Sequence, residues 1–323
     1  MIHHDALSGI AIYPTDIIFQ EIEGGRHQIT AGDRNYVIQT DTENARMLDN
    51  AINTVLPRLR ADAPMREQLS LSEMDMLTPC IDQLKAIGVL LFPSREAADR
   101  IHTAEDVKIY TFCARQASDA DAAFVGLKSQ QIVLCSPNYL AENLLKPLQR
   151  QGFDVQCHAD APTAVAAAAS GAAADVVVLA ASTSAWRLES MNAIFVRNHM
   201  RWVPVVYSPT IVQIGPWTAP GQTACLSCMG RTNAEEPISE SAFWNGAVAS
   251  WLSLQPGALT WIAGLIAHLA LHATVPFGEG HPWGRVTRVN VASWSQETFP
   301  VWRDPYCRVC AKSMPAIQEW VTP

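Results

Sequence analysis

The pattern of apolar and polar positions near the amino terminus predicts a small antiparallel sheet. Apolar segments at residues 10–13, 17–19 and 36–39 read as strand cores. Pro14 and two glycine-containing turns separate these segments, which is typical of strands joined by short connections. The expected structure is a short meander that ends with the strand at residues 36–39.

Three helices are expected after this sheet. Thr42 can cap the first, a short second helix follows, and Thr78 begins a third that ends at Gly88. An apolar run at residues 89–92 then reads as one more strand. This order of elements predicts a winged-helix module, which we assign to residues 1–95.

Charge discriminates between the functions open to such a module. Residues 1–95 contain 8 Lys and Arg against 13 Asp and Glu, so the module lacks the positive charge that DNA phosphates require. The whole chain has a net charge of −8, which argues against nucleic acid as a partner. A peptide that adds a strand to the sheet edge fits better, and a dimerisation or packing domain is the alternative.

The next part of the chain alternates short apolar runs with helical segments. The runs lie at residues 131–135, 154–158, 175–180 and 203–208, and the helical segments at residues 139–151, 162–173 and 186–200. This alternation predicts a doubly wound parallel sheet. We assign it to a second α/β domain at residues 105–323.

The loop after the first of these runs does not suit phosphate binding. Residues 135–139 contain no glycine, and Pro137 removes a backbone N–H donor. Ser136 and Asn138 are better interpreted as turn and capping residues.

Eight cysteines divide into two groups. One group forms two CxxC pairs, a spacing that lets two thiolates reach one metal ion, and two such pairs complete a tetrahedral shell. These candidate zinc ligands are Cys225, Cys228, Cys307 and Cys310. Four thiolates leave no open position, so the zinc ion is expected to hold structure rather than perform chemistry. Two redox-active pairs or two disulfides are the alternatives.

The remaining cysteines share no spacing. They are Cys80, Cys113, Cys135 and Cys157. Isolated cysteines in apolar or mixed runs favour reduced, buried thiols and a cytoplasmic protein.

The longest apolar stretch, residues 258–275, has the length of a buried helix and is flanked by Pro256 and Pro276. No membrane span is expected there, and no signal peptide pattern opens the chain. His268 and His272 lie four residues apart on this helix, as metal ligands sometimes do, but no acidic residue lies between them. Histidines packed in a core or an interface are the favoured interpretation.

A more specific signal lies at residues 214–231, with the sequence IGPWTAPGQTACLSCMGR. It resembles the GP-x-x-x-PG-x-x-x-C-x-x-C segment of ThiF-like proteins that partner YcaO cyclodehydratases in making thiazole- and oxazole-modified peptides of the bacteriocin and microcin type. Together with the second CxxC pair and the two modules, the resemblance covers nearly the whole chain. It implies a PqqD-like recognition element for a ribosomal precursor peptide, followed by a ThiF-like module of the ubiquitin-activating type that carries the zinc.

The resemblance also implies a binding place for the leader of that precursor. The leader is expected along the third strand of the amino-terminal sheet and against the third helix. The expected contact residues are Tyr36, Val37, Ile38, Gln39, Asp82 and Lys85.

Departures from the family pattern favour a scaffold over an enzyme. Catalytically active ThiF-like proteins carry a glycine-rich loop, an acidic residue followed by an Asn-Leu-x-Arg-Gln type run after the second strand, and an Asp after the third. This chain has none of the three, and residues 180–185 after its third strand contain no carboxylate to hold magnesium. The expected protein has no catalytic residues and binds no ATP itself. It holds the leader while a YcaO partner forms azolines, and docking is a candidate means of activating that partner.

Two other functions stay open. One is an adenylating ThiF-like enzyme that activates a peptide carboxylate or amide with ATP, and the other is a transcriptional regulator. The expected assembly is a homodimer or a hetero-oligomer, with a flavin-dependent azoline dehydrogenase as a further candidate partner.

Overall fold

The computed structural model forms two compact units, Met1–Gly126 and Leu127–Pro323. It describes residues 9–22, 26–39, 41–136, 138–170, 176–182, 185–207, 210–232, 256–275 and 280–311. The module boundaries inferred from the sequence, 1–95 and 105–323, stay predictions.

The first unit contains a three-stranded antiparallel sheet. Its strands are β1 (Ile17–Ile22), β2 (Arg26–Ala31) and β3 (Arg34–Gln39), in the order β1-β2-β3. The predicted strands at residues 10–13 and 89–92 are reduced to a single bridge between Ile12 and Leu91. β2 takes the middle place instead, and sequence reasoning missed it because RHQITA has no continuous apolar run.

The turn between β2 and β3 defines which backbone groups of β3 point outward. Only Gly32 and Asp33 separate the paired residues Ala31 and Arg34, and Gly32 has a φ of 65°. A glycine with positive φ at the first central position is typical of a type II′ hairpin. In such a hairpin the residues flanking the turn exchange both hydrogen bonds, so alternate residues of β3 bond to β2 and the others face away.

A series of helices follows the sheet. They are α1 (Thr42–Asn50), continued by a π-helical turn (Ala51–Val55) and a 3-10 turn (Leu56–Arg58), then α2 (Met65–Gln68), α3 (Leu71–Leu77), α4 (Ile81–Ala86), α5 (Arg95–Ala98), α6 (Ala104–Gln116) and α7 (Ala120–Ser129). α4 ends just before Gly88, as predicted, with Ile87 as its C-cap and Gly88 at a φ of 73°. The winged-helix assignment itself stays a prediction.

The caps of these helices differ slightly from those expected. Asp41, rather than Thr42, caps α1 by accepting from the backbone N–H of Asn44. Thr78 does not cap α4, because its hydroxyl donates to the carbonyl of Met74 at the end of α3. A threonine near two helix termini can serve either one, and the sequence does not distinguish them.

Arg115 of α6 joins three separate segments of the first unit. Its guanidinium makes a two-pronged ion pair with Asp16, at 3.1 and 3.2 Å, and donates to the carbonyl of Gly88 at 2.9 Å. It also lies against Gly32, where an added Cβ would be 3.3 Å from the arginine Cδ. These contacts of Arg115 connect the turn before β3 and the end of α4 to the helices that follow residue 95.

The second unit is built on a seven-stranded mixed sheet in the order β10-β9-β8-β7-β6-β4-β5. Its strands are β4 (Gln131–Cys135), β5 (Asp154–His158), β6 (Val176–Ser182), β7 (Arg201–Tyr207), β8 (Ile211–Ile214), β9 (Arg285–Asn290) and β10 (Ser295–Pro300). The four predicted strands pair in parallel, but β8, β9 and β10 add antiparallel neighbours. The predicted parallel pairing is therefore confirmed for these four strands, and the three antiparallel strands that extend the sheet were not predicted.

The helices of this unit are α8 (Asn138–Arg150), α9 (Ala161–Ser170), α10 (Ala185–Arg197), α11 (Leu226–Thr232) and α12 (Pro256–Thr274). α12 is long and apolar enough to cross a membrane by length and composition alone. It packs on α8 and buries one face, which a core helix also does. Pro137 and part of the stretch predicted to follow β6, residues 183–184, lie outside the described residues.

Candidate metal centre and peptide-binding edge

The two CxxC pairs meet in the core of the second unit. Cys225 and Cys228 lie at the start of α11, and Cys307 and Cys310 lie in the turns that follow β10. All four are at most 1% exposed, and their sulfur atoms lie within 4.8 Å of one another. Three of the sulfur–sulfur distances are 3.8 Å for Cys225–Cys228, 3.6 Å for Cys225–Cys307 and 3.4 Å for Cys228–Cys310. The structure therefore brings together the ligand set predicted from the sequence.

This geometry suits a single zinc ion. Sulfur ligands at about 2.3 Å from a tetrahedral zinc are separated by roughly 3.8 Å, close to the observed spacing. Hydrogen bonds to Cys228 and Cys310, together with burial, raise the pKa of the Cys225 thiol. Hydrogen bonds with Cys225 and Cys228 lower the pKa of the Cys310 thiol, so the protons of the cluster are held unevenly. A metal cation at the centre of the cluster replaces these protons.

Two further side chains support the cluster, and sequence reasoning missed both. Asn192, fully buried on α10, donates to the hydroxyl of Ser227 at 2.9 Å and lies 3.7 Å from the Cys225 sulfur. Arg303 donates to the carbonyls of Gly221 at 2.6 Å and Cys310 at 2.8 Å, which ties the two knuckles together. Neither residue has a local sequence signal, because each acts across a long separation along the chain.

Replacing Asn192 with alanine should weaken zinc retention while leaving the ligands intact. Residues that orient metal ligands typically contribute about 10- to 100-fold to metal affinity. We expect a loss of that size in competition against a chromogenic chelator. Asn198→Ala is the matched control, because Asn198 is exposed just after the same helix and bonds only to the carbonyl of Ile194. Equal affinity in both variants would assign Asn192 a packing role alone.

The predicted leader-binding residues of β3 divide between the two faces of the sheet. Tyr36 and Ile38 pack against the core of the first unit. Val37 is 57% exposed, and Gln39 is exposed as well. Within the described residues β3 is an edge of its sheet, and the hairpin register directs the backbone N–H groups of Asn35, Val37 and Gln39 to that edge. The edge can therefore accept another strand.

The two predicted helix residues lie on one side of α4. Asp82 and Lys85 are exposed, and the Lys85 ammonium lies over the Phe92 ring, 5.3 Å from its centroid. Gln83 lies two residues from Lys85 and so faces the other way. On that side is a cavity of about 280 Å³, lined by Asn44, Met47, Leu48, Ala51, Met76, Pro79, Cys80 and Gln83. Sequence reasoning missed this cavity, whose only signal was the methionines at exposed helix positions.

The loop after β4 begins beyond Ser136, which still pairs with the neighbouring strand β5. The backbone N–H of Ser136 donates to the carbonyl of His158 at 3.0 Å, and the Ser136 side chain is buried. This bond continues the parallel ladder of β4 and β5, in which Cys135 pairs with His158. The loop that follows contains none of the glycines that let a backbone approach a phosphate closely.

Comparison with solved structures shows a whole-chain likeness. A heterocyclase in complex with substrate and cofactor matches at a TM-score of 0.60 and 15% identity, over 94% of this chain and 39% of its own. The heterocyclase TruD matches at a TM-score of 0.56 and 17% identity, over 94% of this chain and 43% of its own. MccB of E. coli, solved with AMPCPP and MccA, matches at 0.52 and 11% identity, over 93% of this chain and 99% of its own.

This chain shares its fold with heterocyclases and MccB. The likeness is one of fold alone, because the identities are low. The chain spans about two fifths of the length of the two heterocyclase chains and nearly all of MccB. No protein-family model matches it, and no match was found among curated proteins.

Proposed function

We propose that this protein is a non-catalytic scaffold that binds the leader of a ribosomal precursor peptide and presents it to a YcaO-type heterocyclase partner. One observation carries the proposal. The chain has the fold of heterocyclases and MccB over nearly its full length, yet its loop after β4 has no glycine. A loop of this kind favours a protein that keeps the fold of these enzymes but does not bind or use a nucleotide.

The leader binds at the edge of β3 in this proposal. Backbone hydrogen bonds from an added strand supply affinity, and side-chain contacts supply specificity. The outward N–H groups of Val37 and Gln39 support this placement, as does the exposed side chain of Val37 beside them. Asp82 and Lys85 on α4 are the proposed polar contacts of the same peptide.

The heterocyclase partner is the source of the chemistry. The 323 residues correspond to about two fifths of the matched heterocyclase chains, so the rest of such an enzyme must come from outside these residues. The proposed partner converts Cys, Ser or Thr of the core peptide to azolines with ATP. Tethering the leader raises the effective concentration of the core at that active site. The proposed setting is the cytoplasm, and the zinc ion is structural.

Fluorescence polarisation with a labelled leader tests the proposal directly. The leader is taken from a short reading frame beside the gene, and the titration is run with and without ATP and magnesium. We expect saturable binding with the same dissociation constant in both conditions, and no ATP turnover by the isolated chain. A scrambled leader of the same composition is the control. Binding that needs ATP, or that the scrambled leader matches, would contradict the proposal.

A second candidate function is adenylation of the peptide by this chain itself. The match to MccB over nearly its full length favours it, since MccB has also been solved with ATP. In that case leader-dependent release of pyrophosphate from ATP should be detectable with this protein alone. The lack of glycine in the loop after β4 is the reason that we place this function second.

A further inference from the structure

The histidine pair on α12 lies differently from the sequence expectation of packed side chains. His268 is exposed and His272 is half-buried. Their Nε2 atoms are 2.9 Å apart, and their ring centroids are 4.3 Å apart with the planes at 70°. Residues four apart on a helix lie one above the other, so this arrangement follows from the helix geometry. Both rings therefore turn the same nitrogen toward one point.

The surroundings favour neutral rings at that point. Burial lowers the pKa of His268, and burial together with the His268 charge lowers the pKa of His272. The Nδ1 atom of His272 is buried, with Gly280 beside it, and the Nε2 atom is the nitrogen that faces His268. Two neutral imidazoles with converging Nε2 atoms either share one proton or bind a cation in its place.

We propose that His268 and His272 form an exchangeable site for a divalent transition metal such as Ni²⁺, Co²⁺ or Cu²⁺, separate from the four-cysteine cluster. Nitrogens at about 2.0–2.1 Å from a metal, in neighbouring positions at right angles, are separated by about 2.9 Å. Imidazole nitrogen is a preferred ligand of these metals.

The number of protein ligands at the histidine pair determines how tightly it binds a metal. Among the described residues, the four cysteines are the only cluster of three or more metal-ligating side chains. The histidine pair therefore supplies two ligands, and water or a group from another molecule completes the coordination. Such a site binds more weakly than four buried thiolates and exchanges its metal with solvent. The proposal does not depend on the function proposed above.

Cobalt titration of the full-length protein, free of any histidine tag, distinguishes the two sites. The protein is first loaded with one equivalent of Zn²⁺ and dialysed, and Ni²⁺ or Co²⁺ is then added in a calorimeter and a spectrophotometer. We expect one further equivalent to bind. The added cobalt should show no thiolate charge-transfer bands, because the protein ligands of this site are imidazole nitrogens and not sulfurs. Displacement of zinc with growth of thiolate bands would overturn the proposal.

Single substitutions identify the ligands. His268→Ala and His272→Ala should each abolish the second equivalent and leave the tightly held zinc in place. His102→Ala is the control, because His102 is also exposed but lies in the first unit. His268 is exposed, so its loss should not change the melting temperature, and His272→Gln checks the half-buried position. Retention of the second equivalent in His268→Ala would refute the site.

Discussion

Cys225→Ser should destabilise the second unit more than any other single change proposed for this protein. The four cysteines belong to the same buried cluster as Val178, Val206 and Val286, which lie on three strands of the sheet. Loss of one ligand forfeits the metal's contribution to folding and leaves buried thiols without their cation. We expect a loss of about 4 kcal/mol or more, which lowers the melting temperature by roughly 8–16 °C in a domain of this size.

Differential scanning fluorimetry combined with metal analysis by mass spectrometry measures this effect. Cys310→Ser should behave like Cys225→Ser, because either change breaks the same tetrahedral shell. Cys157→Ser is the control, since Cys157 is exposed and lies outside the cluster. If the metal-free wild-type protein melts at the same temperature as the zinc-loaded protein, the metal does not stabilise the fold and the prediction is wrong.

Gln39→Pro should weaken leader binding by about tenfold while the first unit stays folded. The hairpin register directs the Gln39 N–H away from β2, so proline removes a donor at the open edge without breaking a bond inside the sheet. One lost hydrogen bond to the added strand corresponds to about 1.4 kcal/mol, or tenfold in the dissociation constant. Fluorescence polarisation with the labelled leader measures the change.

The matched control is Gln39→Ala, which removes the side chain and keeps the N–H. It should bind the leader nearly as well as the wild type. Lys85→Glu tests the proposed peptide contact on α4 in the same assay. Circular dichroism confirms that each variant is folded. Unchanged affinity in both Gln39→Pro and Lys85→Glu would move the peptide to another surface, with the cavity beside Met47 and Met76 the next to test.

Local patterns in the sequence determined much of the second unit. The runs that became β4, β5, β6 and β7 were predicted to within two residues at each end. Strands inside a parallel sheet are buried on both faces and therefore largely apolar, as β4 is, whereas β5 at the end of the sheet is largely exposed. The CxxC spacing likewise predicted which four cysteines meet, since two residues between ligands is a property of the local turn. These features depend on neighbours close along the chain.

Only the tertiary structure decided which elements lie side by side. β8 to β10 extend the sheet with antiparallel strands, β2 separates β1 from β3, and Asn192 reaches the Cys225 sulfur across 33 positions. The sequence favoured packed core or interface histidines at His268 and His272, and the structure leaves the first exposed and the second half-buried. A sequence pattern reports how apolar a segment is and with what period, but strand order, open edges and distant hydrogen bonds follow from the packing of the whole unit.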